Sequence, residues 1–494
     1  MSREWDAVVV GAGPNGLAAA VTLAAAGLHL LVLEGAAEAG GGCRTAALTL
    51  PGFRHDVCSA VHPLALASPF FRAFDLPARG VRVRTPEVAF AHPLDGGRAG
   101  VVAGSVGETA ERLGADGPAW QRTFGRLVRH SGDVVAGILS PLRGPTRHPL
   151  PMAEFGLPAL LPATRLAGRR FVGEEARALF AGVAAHAMVP LDRATTAATG
   201  LLLTMLAHSV GWPFVEGGSD ELTAAMAAAV TSSGGEVVTG TWVRSLTDVP
   251  PARAVLLDVA PRGLARIAGD RLPPGYRHAL ARYRHGPGVC KVDFALSGPV
   301  PWAAGGCRSA GTLHLGGALE EVAAAEAEVA DGRHPERPYV LVAQPGVVDP
   351  SRAPETRHTL WAYCHVPAGS SYDMTARIEG QIERFAPGFR DLVLARHTTT
   401  AAREAAANPN YVGGDIACGV QDLRQTLFRP VRRWNTYRTP VEGLYLCSAA
   451  TPPGPGVHGR CGQLAALTAL RDRFGVRNPP SLAPAATSLG GRAR

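Results

Sequence analysis

The chain has 494 residues, 46% of them hydrophobic, which is more than one ordinary core accommodates, so two intertwined domains are expected. Its formal net charge of +8 comes from arginines spread without a basic block or interleaved aromatics, which argues against a nucleic-acid partner and leaves peripheral contact with anionic membrane as a minor alternative. The eight cysteines never form a C-x-x-C, no histidines accompany them at ligand spacing, and no apolar run reaches bilayer-spanning length, so neither a metal site, nor a disulfide framework, nor a membrane span is expected.

The first element is the apolar run Ala7-Val8-Val9-Val10, which feeds Gly11-Ala12-Gly13-Pro14-Asn15-Gly16 and then the alanine-rich stretch from Leu17 to Ala26. This order predicts a strand, a glycine turn and a helix. Gly11 permits the tight turn, Gly13 lets backbone approach a pyrophosphate, and Gly16 lets the helix lie close on the strand, so a diphosphate can sit at the positive helix end beside Pro14 and Asn15. In a chain with 59 glycines the bare pattern is weak, but its surroundings strengthen it. Gly27 ends the helix, His29 to Leu33 form a second apolar strand, and Glu34 stands at its end, 18 residues after Gly16, where an acid binds ribose hydroxyls. A nucleotide motif this early leaves no room for a signal peptide, and a cytoplasmic protein is expected.

Gly40-Gly41-Gly42-Cys43-Arg44-Thr45 then supplies a second glycine cluster and an arginine. From about Gly107 to Met205 the chain reads as amphipathic helices broken by prolines, with Ser140 to Pro162 as a lid or connector and Ala197 to Ala207 as a buried helix; these suit the walls of an apolar cavity. Helices are predicted over Glu221–Ser232, Leu319–Ala330 and Met374–Phe385, and strands over Gly235–Gly240 with Trp242-Val243, then Ala254–Val259, Tyr339–Ala343 and His358–His365. Asn408 to Ile416 holds glycines and Asp415 in a run that is either a structured turn or a close backbone approach to a ligand. A last strand, Val441–Cys447, enters the proline- and glycine-rich loop Ser448 to Gly459 and a helix from Gln463 to Arg471, and Asn478 to Arg494 has the composition of a disordered tail.

Of the 49 basic residues 48 are arginine, and the one lysine is Lys291. It lies in the strand pattern Val289 to Leu296, followed by Pro299-Val300-Pro301-Trp302. Alternation puts positions 291 and 293 on one face, an arrangement that suits a solvent-exposed pair with Asp293 as well as a reactive site.

The spacing Glu-x5-Gly-Gly-x3-Thr from Glu34 to Thr45, with the closing run from Ser448 to Gly459, resembles the flavin amine oxidase and phytoene desaturase superfamily, in its phytoene dehydrogenase-like branch. The resemblance extends from Ala7 to about Phe474 and implies an α/β fold: a Rossmann-like FAD-binding domain of the glutathione reductase and amine oxidase type, interleaved with an α+β substrate domain. The FAD domain would take segments 1–105, 213–284 and 433–476, with a helical lid region at 106–212, the substrate sheet at 285–432 and a tail at 477–494. Gly52 to Asp56 and His62-Pro63 resemble the linker out of the FAD domain.

The implied FAD contacts are Gly11, Gly13, Pro14, Asn15, Gly16, Glu34, Gly41, Gly42, Arg44 and Thr45, the main chain of Val243 at the adenine, and Ala449, Gly456 and Val457 under the flavin. Two departures stand out: Gly42 replaces an arginine common after the glycine pair, which argues against a typical amine oxidase, and the hairpin after Val243 is reduced to Ser245–Pro251. By resemblance Lys291 is the candidate to act beside flavin N5, while His62 and His458 are possible proton carriers, each more often structural in a loop. The implied chemistry is oxidation or desaturation of an apolar or polycyclic small molecule, with electrons leaving to oxygen or a quinone-like acceptor. A non-redox isomerase acting on a polyene, and a flavin-binding interaction protein, remain open beside it; substrate and oligomeric state are unspecified.

Overall fold

The apolar run at the start of the chain becomes the central strand of a parallel sheet, because Ala7 to Val10 are buried on both faces and only a strand covered on both sides suits such a run. The computed structural model describes residues 5–140 and 148–484. Its two principal sheets use, in chain order, β1 (Trp5–Val10), β2 (Leu30–Leu33), β3 (Val88–Leu94), β4 (Arg98–Ala103), β5 (Glu236–Val238), β6 (Ala252–Leu257), β7 (Gly288–Leu296), β8 (Ala310–Leu315), β9 (Val340–Ala343), β10 (His358–Val366), β11 (Val393–Thr399) and β12 (Leu444–Leu446).

The first sheet has the order β12-β6-β1-β2-β5 and every pairing is parallel. Ala7 and Val9 face the helices Pro14–Ala24, Asp220–Ser232 and Arg460–Phe474, while Val8 and Val10 face Leu264, Ile267 and Tyr276 on the other side. Alanine dominates the first helix because all its residues after Pro14 are buried between sheet and neighbouring helices. This is the α/β Rossmann-like layer that the motifs imply.

The second sheet has the order β11-β7-β10-β9-β8-β3-β4, antiparallel throughout except for the β3–β8 pair. One face packs on Met374, Ile378, Ile382 and Phe385; the other carries Leu341, Trp361 and Tyr363 toward a layer of helices that includes Pro149–Ala159, Glu174–Ala184 and Thr196–Ser209. Residues 88–103, expected within the first FAD segment 1–105, instead form β3 and β4 of this second sheet. The stretch expected to be a disordered tail is docked as far as it is described: Leu482 is buried in the first domain's core and its carbonyl accepts from Arg79 at 2.9 Å, while residues 485–494 lie outside the described residues. Residues 141–147 of the expected lid also lie outside them.

A buried arginine ties the two layers. Arg352 bonds Asp56 at 2.9 Å, Asp349 at 2.7 Å and the Val215 carbonyl at 3.0 Å, joining three segments distant in sequence. Burial drives the Asp56 carboxyl upward, but Arg352, the Ser219 N–H and the Thr45 hydroxyl outweigh it and hold the group below the usual carboxylate range. Arg352→Met should therefore destabilise by about 3–5 kcal/mol at neutral pH, since it strands two buried carboxylates. The loss should shrink as pH falls through the depressed Asp56 value, where the wild-type pairing disappears too. Urea unfolding at neutral and acid pH checks both points.

Candidate cofactor and substrate site

The glycine turn after β1 brings backbone against backbone. A Cβ on Gly16 would lie 1.9 Å from the Gly11 carbonyl oxygen, and one on Gly41 would lie 3.0 Å from Gly13 Cα. On the opposite side of the first helix, a Cβ on Gly462 would lie 1.8 Å from the Asn15 carbonyl oxygen, so Arg460–Phe474 packs against it just as closely. At the end of β6, Asp258 accepts from the Gly16 N–H at 2.8 Å. Burial pushes its carboxyl up to about 7, the Gly16 N–H opposes that, and the charge of Glu34 adds to it. Glu34 itself accepts from Ala12 N at 2.7 Å and Ala36 N at 2.8 Å, which fixes its carboxylate at the end of β2.

A cavity of about 870 Å³ opens from this turn. Gly11, Gly13, Pro14, Asn15, Glu34, Gly41, Gly42, Arg44, Val243, Ala449, Gly456, Val457, His62 and His458 all lie on its wall. Three expected site residues do not. Gly16 is occupied by its contacts with Gly11 and Asp258, and Thr45 donates its hydroxyl to Asp56 at 2.9 Å in the short hairpin with His55–Asp56. Lys291 is the third. Its ammonium donates to both oxygens of Asp293 at 2.5 Å, the pair is buried rather than exposed, and Nζ stands 5.5 Å from the Trp361 ring, which itself lines the cavity.

The two histidines on the wall differ. His458 is engaged at both ring nitrogens, Nδ1 accepting from Arg460 N at 3.0 Å and Nε2 lying 3.1 Å from the Gly454 carbonyl, so it braces the closing loop and has no free site for proton transfer. His62 is 2% exposed and neither ring nitrogen has a partner among the described residues. Burial brings both imidazoles down to about 4, so each is neutral near pH 7.

Several wall residues were not expected from the sequence. Asp258 lay hidden inside a predicted apolar strand. Trp361 and Tyr363 alternate on β10, a period-2 signal that could have marked them. Tyr411, in the ambiguous run from Asn408, explains Gly42: a Cβ there would meet its hydroxyl at 2.3 Å, which leaves no room for the arginine expected by family resemblance.

The residues present fit a dinucleotide and, specifically, FAD. Gly13 and Gly41 face each other without side chains at the helix N-terminus where a diphosphate would lie, an acid placed to bind ribose is fixed at Glu34, and Asn15 Oδ1 is buried without a partner among the described residues. A second glycine-rich loop leads into the N-terminus of Arg460–Phe474 at the other end. FAD would be held by Gly11 to Asn15, Glu34, Gly41 to Arg44, Val243 and the Ala449–Val457 loop.

Comparison with known proteins agrees. Residues 9–75 match the NAD(P)-binding Rossmann-like domain model. The chain is 26% identical to the rat pyridine nucleotide-disulfide oxidoreductase domain-containing protein 2, over 96% of this chain and 94% of that protein. It is 25% identical to an uncharacterized protein of Mycobacterium tuberculosis, covering 97% and 99%. Among solved structures, an oxidoreductase from Methanosarcina mazei superposes with a TM-score of 0.64 at 16% identity, covering 94% of this chain and 99% of that one. A redesigned putrescine oxidase gives 0.60 at 20% identity, covering 94% and 99%. The chain has the fold of these oxidoreductases. That likeness of fold extends over 94% of the chain.

Two measurements follow from the buried charges. Asp258→Asn keeps an acceptor for Gly16 N–H and removes a carboxyl whose folded value lies above its unfolded one, so the wild-type penalty grows as pH rises toward about 7. The variant should melt higher than wild type at about pH 8 and match it at about pH 4; a difference independent of pH would contradict the assignment. Lys291→Met should cost about 3–5 kcal/mol in urea unfolding by stranding Asp293, and pairing it with Asp293→Leu should recover most of that.

Proposed function

We propose that the chain is an FAD-dependent oxidoreductase that oxidises or desaturates an apolar small molecule at a C–H bond. The observation that supports this reading is the continuity of the cavity: the wall that begins at the glycine turn runs without interruption into the helical layer, past Leu139, Phe155, Leu202 and Leu203, and under Trp361 and Tyr363 of the second sheet. Among the described residues, the only acids on that wall are Glu34 and Asp258, both held by backbone N–H groups at the nucleotide end.

When bound, FAD would supply the acceptor for a hydride from the substrate, with oxygen or a quinone-like compound as the terminal oxidant. The chain does the rest. Its apolar walls exclude water and orient the substrate by shape, while the proton lost along with the hydride in a desaturation requires an acceptor on the wall. The closing loop, with Gly456 and Val457 on the wall, leads into the N-terminus of Arg460–Phe474, whose positive helix end would favour negative charge on a group held there. His62, neutral and unpartnered at both ring nitrogens, is the wall group able to accept or give up a proton at Nδ1 or Nε2. Lys291 acts at one remove, its charge neutralised by Asp293 behind Trp361.

The test is the visible spectrum of the purified protein, followed by acid release of FAD and an anaerobic screen of apolar polyenes and polycyclic compounds. Loss of the oxidised flavin band with a substrate supports the reading. Product formed with the band intact and no acceptor consumed would replace it with isomerase chemistry, and a colourless protein that takes up no FAD would end it.

A further inference from the structure

One polar feature interrupts the apolar arm of the cavity. His186, in the turn Ala185–Ala187 after the helix Glu174–Ala184, lies on the cavity wall, and its Nε2 is 2.9 Å from Nε2 of His314 on β8. The rings cross at 84° with centroids 5.0 Å apart. Thr312, two residues before His314 on the same face of β8, is also on the wall, its hydroxyl accepting from Trp212 Nε1 at 2.8 Å. The helix leaves room for the pair because position 182 is glycine: a Cβ there would come within 2.6 Å of His314 Cβ.

Which ring donates decides what the cavity offers. His314 Nδ1 is buried with no partner. A buried N–H left unpaired is rarer than a buried acceptor left unpaired, so the favoured arrangement leaves His314 Nδ1 unprotonated and puts the proton on its Nε2. That N–H donates to His186 Nε2, and the remaining proton of a neutral His186 must then sit on Nδ1, which has no partner among the described residues. Burial lowers His186 to about 3 and His314 well below the usual imidazole range, so both rings are neutral.

We propose that the His186–His314 pair is a recognition site for a neutral oxygen acceptor on an otherwise apolar substrate, a carbonyl foremost, and that it selects against an ammonium group. This rests on the reading that the helical arm of the cavity holds the substrate. The pair presents a donor to the cavity, Thr312 adds a hydroxyl proton beside it, and among the described residues no carboxylate lies on this part of the wall to offset a cation. His186 touches the substrate; His314 is a positioning residue that sets the His186 tautomer.

The test is equilibrium binding to the protein as purified, followed by quenching of tryptophan fluorescence, to which Trp212, Trp242 and Trp361 contribute from the wall, with 2-decanone, decane and decylamine as probes. The ketone should bind about tenfold more tightly than the alkane, and the protonated amine should be weakest. His186→Phe should erase the ketone's advantage while leaving alkane binding unchanged, and His186→Gln, which restores a donor, should regain part of it. His314→Phe should reduce the advantage without touching the ligand. Should a variant fail to fold, the infrared band of 2-decanone labelled with carbon-13 at its carbonyl, bound to the wild-type protein, supplies the answer: a shift to lower frequency is expected, and a free-carbonyl band overturns the proposal. Equal affinity for ketone and alkane, preference for the amine, or a ketone advantage that survives His186→Phe would each overturn it as well. Flavin that is never reduced by any substrate would sink the oxidoreductase reading while leaving a measured ketone preference standing, so the two failures are distinguishable.

Discussion

Two positions without side chains, Gly16 and Gly462, allow three pieces of backbone to touch, and the rest of the molecule is arranged around that contact. With Gly16 against the Gly11 carbonyl and Gly462 against the Asn15 carbonyl, the first helix is clamped between its own glycine turn and a helix more than 400 residues later in the chain. A methyl group at either place would have to displace main chain rather than a flexible side chain, which an interior at crystal-like density resists. The clamp is what makes two helix N-termini converge on one cavity, one at the diphosphate turn and one under the closing loop. Between the two motifs the chain leaves the first sheet and returns to it, first for β5 and β6 and last for β12, so the second sheet is built from insertions between strands of the first.

That dependence explains which parts could be read from the chain. The ends obey local rules: β1, the first helix, β2 and Glu34 lie within a residue or a few of their expected places because strand, turn and helix each carry their own signal. Helix Leu319–Ala330 likewise matches its predicted bounds. The misses are products of tertiary placement. Nothing local in residues 88–103 says which sheet they join, since β3 pairs in parallel with β8, more than 200 residues away. Leu482 sits in a stretch of tail-like composition, and its burial depends on a groove built by distant segments. Lys291 was legible as singular and as facing Asp293, but whether the pair faced water or the interior depended on Tyr363 and Trp361 across the strand pairing. Gly462 carried no motif, because a close helix contact requires only the absence of a side chain.

The buried charges do a different job from the apolar core. A desolvated ion pair is rarely more stabilising than apolar residues of the same shape, so Arg352 with Asp56 and Asp349, and Lys291 with Asp293, cannot be justified by net energy. They impose direction. Arg352 has three partners on three segments, and only one relative placement of the 45–56 hairpin, the Phe214–Val215 strand and the 349–352 turn satisfies all of them. Apolar contact would tolerate sliding between these layers. These segments adjoin the wall residues Arg44, Cys58 and Trp212, so bonds of fixed geometry hold that part of the cavity in place.

Histidine is used three ways in this chamber, and the difference lies in the partners rather than in exposure. All three rings, at positions 62, 186 and 458, are rendered neutral first by burial. His458 spends both nitrogens on backbone and becomes a brace; His186 spends one on His314 and keeps one; His62 keeps both. A neutral ring is a usable donor and acceptor in an apolar space, whereas a charged one would draw water in or require a carboxylate, and among the described residues the helical arm of the cavity has none. Charge is instead concentrated at the nucleotide end, around Glu34, Arg44 and Asp258. Asp258 shows how far that segregation goes: raised to about 7, it is already partly protonated beside the turn where a diphosphate would bring two more negative charges. Each such charge raises it further, so a carboxyl that begins as a cost of burial becomes a neutral hydrogen-bonding group in the company of the cofactor.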